Sequence, residues 1–376
     1  MDSHLRGRHV AMVLSALGAG GAERVVADLS RRWVAEGARV TIFAFDRPDD
    51  PVYHAFDPAV ELVRLAIPSS GIHSVPIRLL ALRRAIRQAR PDVLISFLTK
   101  INVTALLAMT GIDAPVIVSE RNNPDQQRKS ILWRLFSQLA HLRADAVVCQ
   151  TARSKRCVPV AARRRAVVIP NSIAPASVQP VPSGRKRLVA VGRLTEQKGF
   201  ELLIQAFGRV AGNNPGWDLH IWGDGPDRPV LEAAIRDLGL GSRIYLRGLS
   251  TTPGGWRTEA DAFVLSSRYE GFPNVLGEAM AAGLPVISVD CDFGPADMII
   301  PWENGLLVPP GQVALLADGI ERLLSDRPLQ HALRQAAPAI ARRFAPEQVE
   351  AAWRDLLQAV LATRASPRPS LRASRV

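Results

Sequence analysis

The chain has 376 residues, 47% of them hydrophobic, with 47 Lys+Arg against 35 Asp+Glu for a formal net charge of +12. That length suits two domains at about 150 residues each, and no apolar run approaches the ~20 residues that a membrane span needs. Cys149, Cys157 and Cys291 match no zinc or redox spacing, and the N-terminal stretch lacks a signal-peptide pattern, so free thiols and a cytoplasmic location are expected.

The charge is uneven. Residues 1–180 hold 25 Lys+Arg against 14 Asp+Glu, so the first half carries nearly all of the excess. An anionic partner on that half, such as lipid headgroups or a lipid-linked pyrophosphate, would use it. Arginine enrichment from a GC-rich genome is the plain alternative.

Along the first half, continuous apolar strands alternate with helices. Strands are expected at His9–Leu14, Arg39–Phe45, Asp92–Phe97, Pro115–Ser119, Ala146–Cys149 and Ala166–Ile169. A helix is expected over Ala22–Glu36, after the turn Gly18–Gly21, and a basic one over Ile77–Arg90. A third, over Lys129–Arg143, gathers Leu132, Leu135, Phe136, Leu139 and Leu142 on one face, with Trp133 near it and basic residues at its edges. Such a helix suits the membrane interface, or packs on the sheet with a solvated basic face. Apolar strands separated by helices predict a parallel sheet covered on both faces.

Asn171–Arg187, with three prolines and a glycine, reads as a linker. The pattern then repeats, with strands near 188–191, 218–222, 243–246, 262–265 and 285–289. Helices fall near 199–211, 227–238, 274–282 and 313–325. The expected organisation is an N-terminal domain over 1–178, a second over 179–345, a C-terminal helix over 346–363 and a basic tail over 364–376, expected to be disordered.

Two constellations carry the chemistry. Glu270 and Glu278 sit eight positions apart in Tyr269-Glu-Gly-Phe-Pro-Asn-Val-Leu-Gly-Glu-Ala-Met280. Gly271 permits a turn, and Pro273 suits the first turn of a helix. Free amides at that helix start can hold phosphate or sugar oxygens, and the carboxylates can accept from hydroxyls. In the second constellation, strand Leu188–Gly192 runs into Arg193, Lys198 and Gly199 and then a helix. This places two cations where ligands bind in open α/β sheets. Arg grips a diphosphate bidentately and Lys adds a point charge; the alternative is two surface cations on a loop.

Six segments in order carry a family resemblance: Gly20-Gly21-Ala-Glu-Arg24, Pro170-Asn171, Gly192-Arg193 through Lys198-Gly199, Gly223-Asp-Gly-Pro226, Glu270 through Glu278, and Gly305-Leu-Leu-Val308. Over nearly its whole length the chain resembles the retaining GT-B glycosyltransferases of family 4, and Glu270–Leu276 with Gly294-Pro295 and Ser119–Pro124 is similar to the bacterial surface-polysaccharide type. The resemblance implies an α/β GT-B fold of two facing Rossmann-like domains with a cleft between them. Its C-terminal domain would bind a nucleotide-sugar. Arg193 and Lys198 would bind the diphosphate, Glu278 the ribose and Glu270 the sugar hydroxyls. Gly271, Phe272, Pro273, Asn274 and Val275 would help hold the donor. Gly20 and Gly21 match the family's N-terminal glycine loop, where backbone amides approach phosphates, unless they only make a tight turn. Gly223 would lie near the base or ribose, or make a plain turn.

Many family members carry a histidine near the reacting sugar. This chain has none between His73 and His141; Glu120, Arg121 and Asn122 occupy the region. They are the candidate acceptor or sugar contacts, or else a loop that caps the next helix.

The implied activity is retaining transfer from a nucleotide-diphosphate sugar, UDP favoured by resemblance, to a saccharide or lipid-linked acceptor. No cofactor is expected and no metal: Arg193, Lys198 and helix amides supply the charge, and the chain is read as having no Asp-x-Asp motif, the usual sequence sign of a metal-bridged diphosphate. Reversible peripheral docking on an anionic membrane through 129–143 is the expected membrane contact. Rival readings are a nucleotide-sugar 2-epimerase of similar architecture, a basic nucleic-acid-binding protein, and an NAD-dependent dehydrogenase. Aromatics at 6% argue against nucleic acid, and the lack of G-x-G-x-x-G opening a helix argues against NAD.

Overall fold

The structure, a computed structural model, describes residues 5–18, 20–67, 74–123, 126, 137–176 and 186–365. It divides into two compact units. The first comprises Met1–Cys149, Lys155–Ile169 and Glu350–Val376, and the second Gln150–Ser154 and Pro170–Val349.

The first unit is built on seven parallel strands: β1 (His9–Leu14), β2 (Arg39–Ala44), β3 (Glu61–Arg64), β4 (Val93–Phe97), β5 (Val116–Glu120), β6 (Ala146–Cys149) and β7 (Ala166–Val168). Their order is β3-β2-β1-β4-β5-β6-β7. β1, β4, β5 and β6 are buried at every position, as apolar strands covered on both faces must be. Helices α1 (Gly21–Ala35), α2 (Ser74–Ala89) and α3 (Thr99–Ala108) supply cover. The expected strands all form, within a residue or two of their predicted ends.

The second unit repeats the plan with β8 (Lys186–Val191), β9 (Trp217–Trp222), β10 (Ile244–Gly248), β11 (Ala262–Leu265), β12 (Val286–Val289) and β13 (Leu306–Val308). All six are parallel, in the order β10-β9-β8-β11-β12-β13. The helices are α4 (Phe200–Val210), α5 (Arg228–Asp237), α6 (Asn274–Ala281), α7 (Val313–Ser325) and α8 (Arg327–Ala336). One face of the sheet buries Leu203, Phe207 and Ile320 from α4 and α7. The other buries Leu276 and Met280 from α6 against Val189 and Phe263. Strand order reverses between β8 and β11, so the crevice beyond their carboxyl ends is the switch point of this sheet.

The last helix, α9 (Pro346–Ala365), is expected as a separate C-terminal element, yet from Glu350 it groups with the first unit. Trp353, fully buried, meets Trp33 edge-on at 6.4 Å and Phe97 at 6.3 Å. Ion pairs Arg32–Glu350 and Arg354–Glu36 add to that contact.

Four of the elements named above had no expectation. β3 is half-exposed at the sheet edge and carries no apolar run. β13 is only three residues long. α3 is buried almost all round, so it shows no amphipathic stripe. α8 follows α7 after Asp326 alone, whose carboxylate caps it by accepting from the Leu329 N–H at 2.9 Å. Of the helix expected over 129–143, residues 129–136 lie outside the described residues; 137–141 are helical. The basic tail beyond residue 365 also lies outside them.

Candidate active site

The switch point gathers the second unit's predicted cations and one of its acids. Beyond β8 the chain passes Gly192 and Arg193 and makes a 3-10 turn over Glu196–Lys198 before α4. Beyond β11 it passes Ser266, Ser267 and Arg268 to Glu270, then enters α6 at Asn274. Lys198 Nζ lies 2.6 Å from Glu270 Oε1, and Ser267 Oγ donates to the same oxygen at 2.6 Å. Glu270 is 6% exposed, so the ammonium partners a carboxylate that would otherwise be buried unpaired. The two groups assigned separately to diphosphate and sugar are thus held together.

The loops that carry them are stitched by backbone. Ser266 Oγ donates to Lys198 O at 2.9 Å, the Arg268 N–H to Gln197 O at 2.8 Å, and Gln197 Nε2 to Tyr269 O at 3.0 Å. The loop after β12 joins them: the Glu270 N–H donates to Asp292 O at 2.6 Å and the Phe293 N–H to Glu270 O at 2.9 Å. Ser267, Gln197 and Asp292 were missed in the sequence. The only signal was a polar pair, Ser266-Ser267, at the end of an apolar strand.

Gly192 leaves room for the Lys198 stem, whose carbons would lie 3.1 Å from an added Cβ. Gly223 has φ +137° and would place a Cβ 1.8 Å from Gly192 O. Its glycine is required by backbone packing between the loops after β8 and β9, whatever else it touches. Arg193 is exposed, and among the described residues it has no ion-pair partner. Glu278 sits one turn inside α6, half-buried. No side chain caps the start of that helix at Pro273, so its first amides, flanked by Gly271 and Phe272 and including those of Asn274 and Val275, remain available to a ligand.

An Asp-x-Asp spacing does occur, at Asp290-Cys291-Asp292, and the expectation of none is corrected. Its carboxylates face a cation already in the chain. Arg153 lies 3.0 Å from Asp292 Oδ1 and 3.8 Å from Asp290 Oδ1. Between them, burial holds the Cys291 thiol well above its ordinary range, with Glu270 adding to the effect. Burial likewise pushes Cys149 up to about 12. Both are neutral thiols near pH 7, poor nucleophiles and poor metal ligands.

The remaining predicted residues lie in the first unit. Gly20 and Gly21 open α1, with Gly20 as its N-cap and its carbonyl 3.2 Å from His54 Nε2. Glu120, ending β5, is 4% exposed and fully engaged: Thr99 Oγ1 donates at 2.5 Å, Asn102 Nδ2 at 3.0 Å and His141 Nε2 lies at 2.7 Å. His141 Nδ1 faces Ser137 O at 2.6 Å, so both ring nitrogens are engaged. Arg121 stacks its guanidinium over Phe97 at 5.1 Å and Trp353 at 5.7 Å, and burial lowers its pKa to about 9. Asn122 Oδ1 accepts from the Asn123 N–H at 2.8 Å.

Two doubly wound parallel-sheet units in one chain, the second with a carboxylate–ammonium pair at its switch point, define the GT-B class. A family model described as Glycosyltransferase Family 4 matches residues 19–177, and one described as glycosyl transferases group 1 matches 176–339. The two glycosyltransferase models, one on each half, together span residues 19–339 and agree with the GT-B fold, so the chain is similar in both halves to these glycosyltransferases.

Among named relatives, an exopolysaccharide phosphotransferase of Streptomyces coelicolor is 33% identical over 76% of this chain and 30% of its own length. The amylovoran biosynthesis glycosyltransferase AmsD of Erwinia amylovora is 26% identical over 90% of this chain and 96% of its own. The chain spans 30%, 61% and 66% of the first three curated relatives it matches. In fold it is similar to a sucrose-phosphate synthase from Thermosynechococcus elongatus, with TM-score 0.83, 21% identity and coverage of 95% and 100%. It is also similar to Anabaena HepE in complex with UDP and glucose, with TM-score 0.77, 19% identity and coverage of 94% and 100%. The epimerase, nucleic-acid and dehydrogenase readings gain no support from these matches. Among the described residues no helix is long and apolar enough to cross a membrane.

Proposed function

We propose that the chain transfers a sugar, with retention, from a nucleotide-diphosphate sugar to a saccharide or lipid-linked acceptor in bacterial cell-surface polysaccharide biosynthesis. The observation that carries this is the Lys198–Glu270 pair at 2.6 Å beside an uncapped helix start, with Arg193, unpaired among the described residues, next to it. A diphosphate entering there meets Arg193, Lys198 and helix amides. Glu270 and Glu278 offer carboxylate acceptors to hydroxyls. UDP is the favoured nucleotide by family resemblance, and HepE, of like fold, is a UDP- and glucose-bound protein.

In the reaction the acceptor oxygen bonds to the anomeric carbon on the face that the diphosphate leaves. The bond from that carbon to the phosphate oxygen breaks, and the departing phosphate takes the acceptor proton. The chain's part is to stabilise the charge that builds on the leaving group, the usual route to large electrostatic catalysis. No cofactor enters this scheme.

Peripheral contact of 129–143 with an anionic membrane belongs to the same proposal, supported by Leu139 and Leu142, both exposed in the described part. Failure to co-sediment with anionic liposomes at low salt would remove it. The main test is a melting panel with UDP, GDP, ADP and NAD. A ligand at about 100 times its Kd adds roughly 2.7 kcal/mol. Stabilisation by one nucleoside diphosphate, lost in Arg193→Ala/Lys198→Ala, is expected; stabilisation by NAD alone would overturn the reading.

A further inference from the structure

Helix α2 of the first unit is 16 residues long, yet only Leu82 and Ile86 are buried. With Ala85 and Ala89 beside them they join the core around Phe43, Phe45 and Ile101. Two of its arginines also serve the fold. Arg78 lies 4.7 Å over the Phe45 ring and donates to Ile67 O at 3.1 Å. Arg83 donates to the carbonyls of Ala108 and Thr110, both at 2.6 Å.

The opposite face is left over. Ile77, Leu80, Arg84 and Arg87 follow at spacings of three, four and three, which is one side of a helix, and all four are exposed. Ile77 is 57% exposed and Leu80 65%. Arg84 and Arg87 have no ion-pair partner among the described residues, and α2 contains no acid. A helix that only packs on a sheet buries its large apolar side chains and shows its polar ones. Packing therefore accounts for Leu82 and Ile86 and leaves Ile77 and Leu80 unexplained. The exposed stripe is apolar at its start and cationic at its end, over about 15 Å.

We propose that the Ile77–Arg87 face of α2 docks on an anionic lipid bilayer. Such a surface satisfies both ends of the stripe: apolar side chains enter the boundary of headgroups and acyl chains, and the arginines reach headgroup phosphates beside them. A soluble polyanion would use the arginines and leave Ile77 and Leu80 in water. An apolar protein groove would bury two unpaired guanidinium groups. The first 180 residues, α2 among them, hold 25 Lys+Arg against 14 Asp+Glu, so the surrounding charge has the right sign. This surface goes beyond the contact of 129–143 and needs neither that contact nor the donor-site reading.

The probes are vesicles of phosphatidylcholine alone and of phosphatidylcholine mixed with phosphatidylglycerol, sedimented with the full chain at low salt. Wild type should bind the mixed vesicles and not the neutral ones. Ile77→Ser/Leu80→Ser and Arg84→Ser/Arg87→Ser should each weaken binding by about tenfold or more, with undiminished melting temperatures, since the four side chains are exposed. Leu80→Trp should bind at least as tightly as wild type, because tryptophan favours the interface. Leu139→Ser/Leu142→Ser separates the two membrane readings. Loss there, with wild-type binding in both α2 variants, overturns this proposal and leaves the contact of 129–143 standing; loss in the α2 variants alone does the reverse. Loss in the arginine variant with full binding by Ile77→Ser/Leu80→Ser reduces α2 to a polyanion contact and overturns the proposal. Failure of wild type to bind the mixed vesicles overturns both membrane readings.

Discussion

At Glu270 one carboxylate oxygen takes hydrogen bonds from both Lys198 Nζ and Ser267 Oγ. The ammonium neutralises a buried carboxylate, and under the proposed donor-site reading it also meets the diphosphate. Lys198→Ala should lower kcat/KM for transfer by about 10²-fold or more and also lower the melting temperature, because Glu270 loses its counter-charge. Adding Glu270→Gln to that variant should restore part of the melting temperature and none of the activity. Wild-type rates in Lys198→Ala would remove the lysine from the mechanism. The residue types were legible in the sequence because charged and glycine residues punctuate apolar strands there. Their pairing was not, since the partners lie 72 positions apart and only the sheet order brings them together.

Between elements, the clearest linkage is the buried cluster that joins β5, α3 and the helical turn 137–141. Burial by itself would raise the Glu120 pKa, but the hydrogen bond and charge of His141, with Thr99 and Asn102, outweigh it and the net shift is downward. A carboxylate with a depressed folded-state pKa contributes stability that is fully present above its unfolded value. That contribution is lost as pH falls through the folded-state value. Wild type should therefore lose stability as pH drops below the ordinary carboxylate range, and Glu120→Gln should show a shallower acid dependence and lower stability at neutral pH. Melting temperatures between about pH 3 and 7 check this; parallel acid limbs would refute it. The cluster also shows what the sequence could not convey about Glu120. A polar run after an apolar strand reads as a ligand-facing loop, whereas Glu120 here ends the strand itself, with its side chain satisfied from within. Elements without periodicity, such as α3 and the edge strand β3, left no trace in the pattern for the same reason that they fold: neighbours, not their own sequence, decide their burial.

For the whole molecule, metal dependence separates two ways of carrying diphosphate charge. Asp290 and Asp292 already face Arg153, and Arg193 and Lys198 stand at the switch point. Transfer is expected to continue in EDTA; complete loss, restored by Mn²⁺ or Mg²⁺, would assign the Asp-x-Asp pair to a metal. The sequence by itself determined the two α/β units, most of their strands and the residue types of the candidate site, because continuous apolar runs, glycine turns and cations are local properties of the chain. Only the tertiary structure decided that Lys198 meets Glu270 and that α9 carries Trp353 into the first unit. Each of these depends on strand order and long-range packing, which bring together residues far apart in sequence and which no local period records.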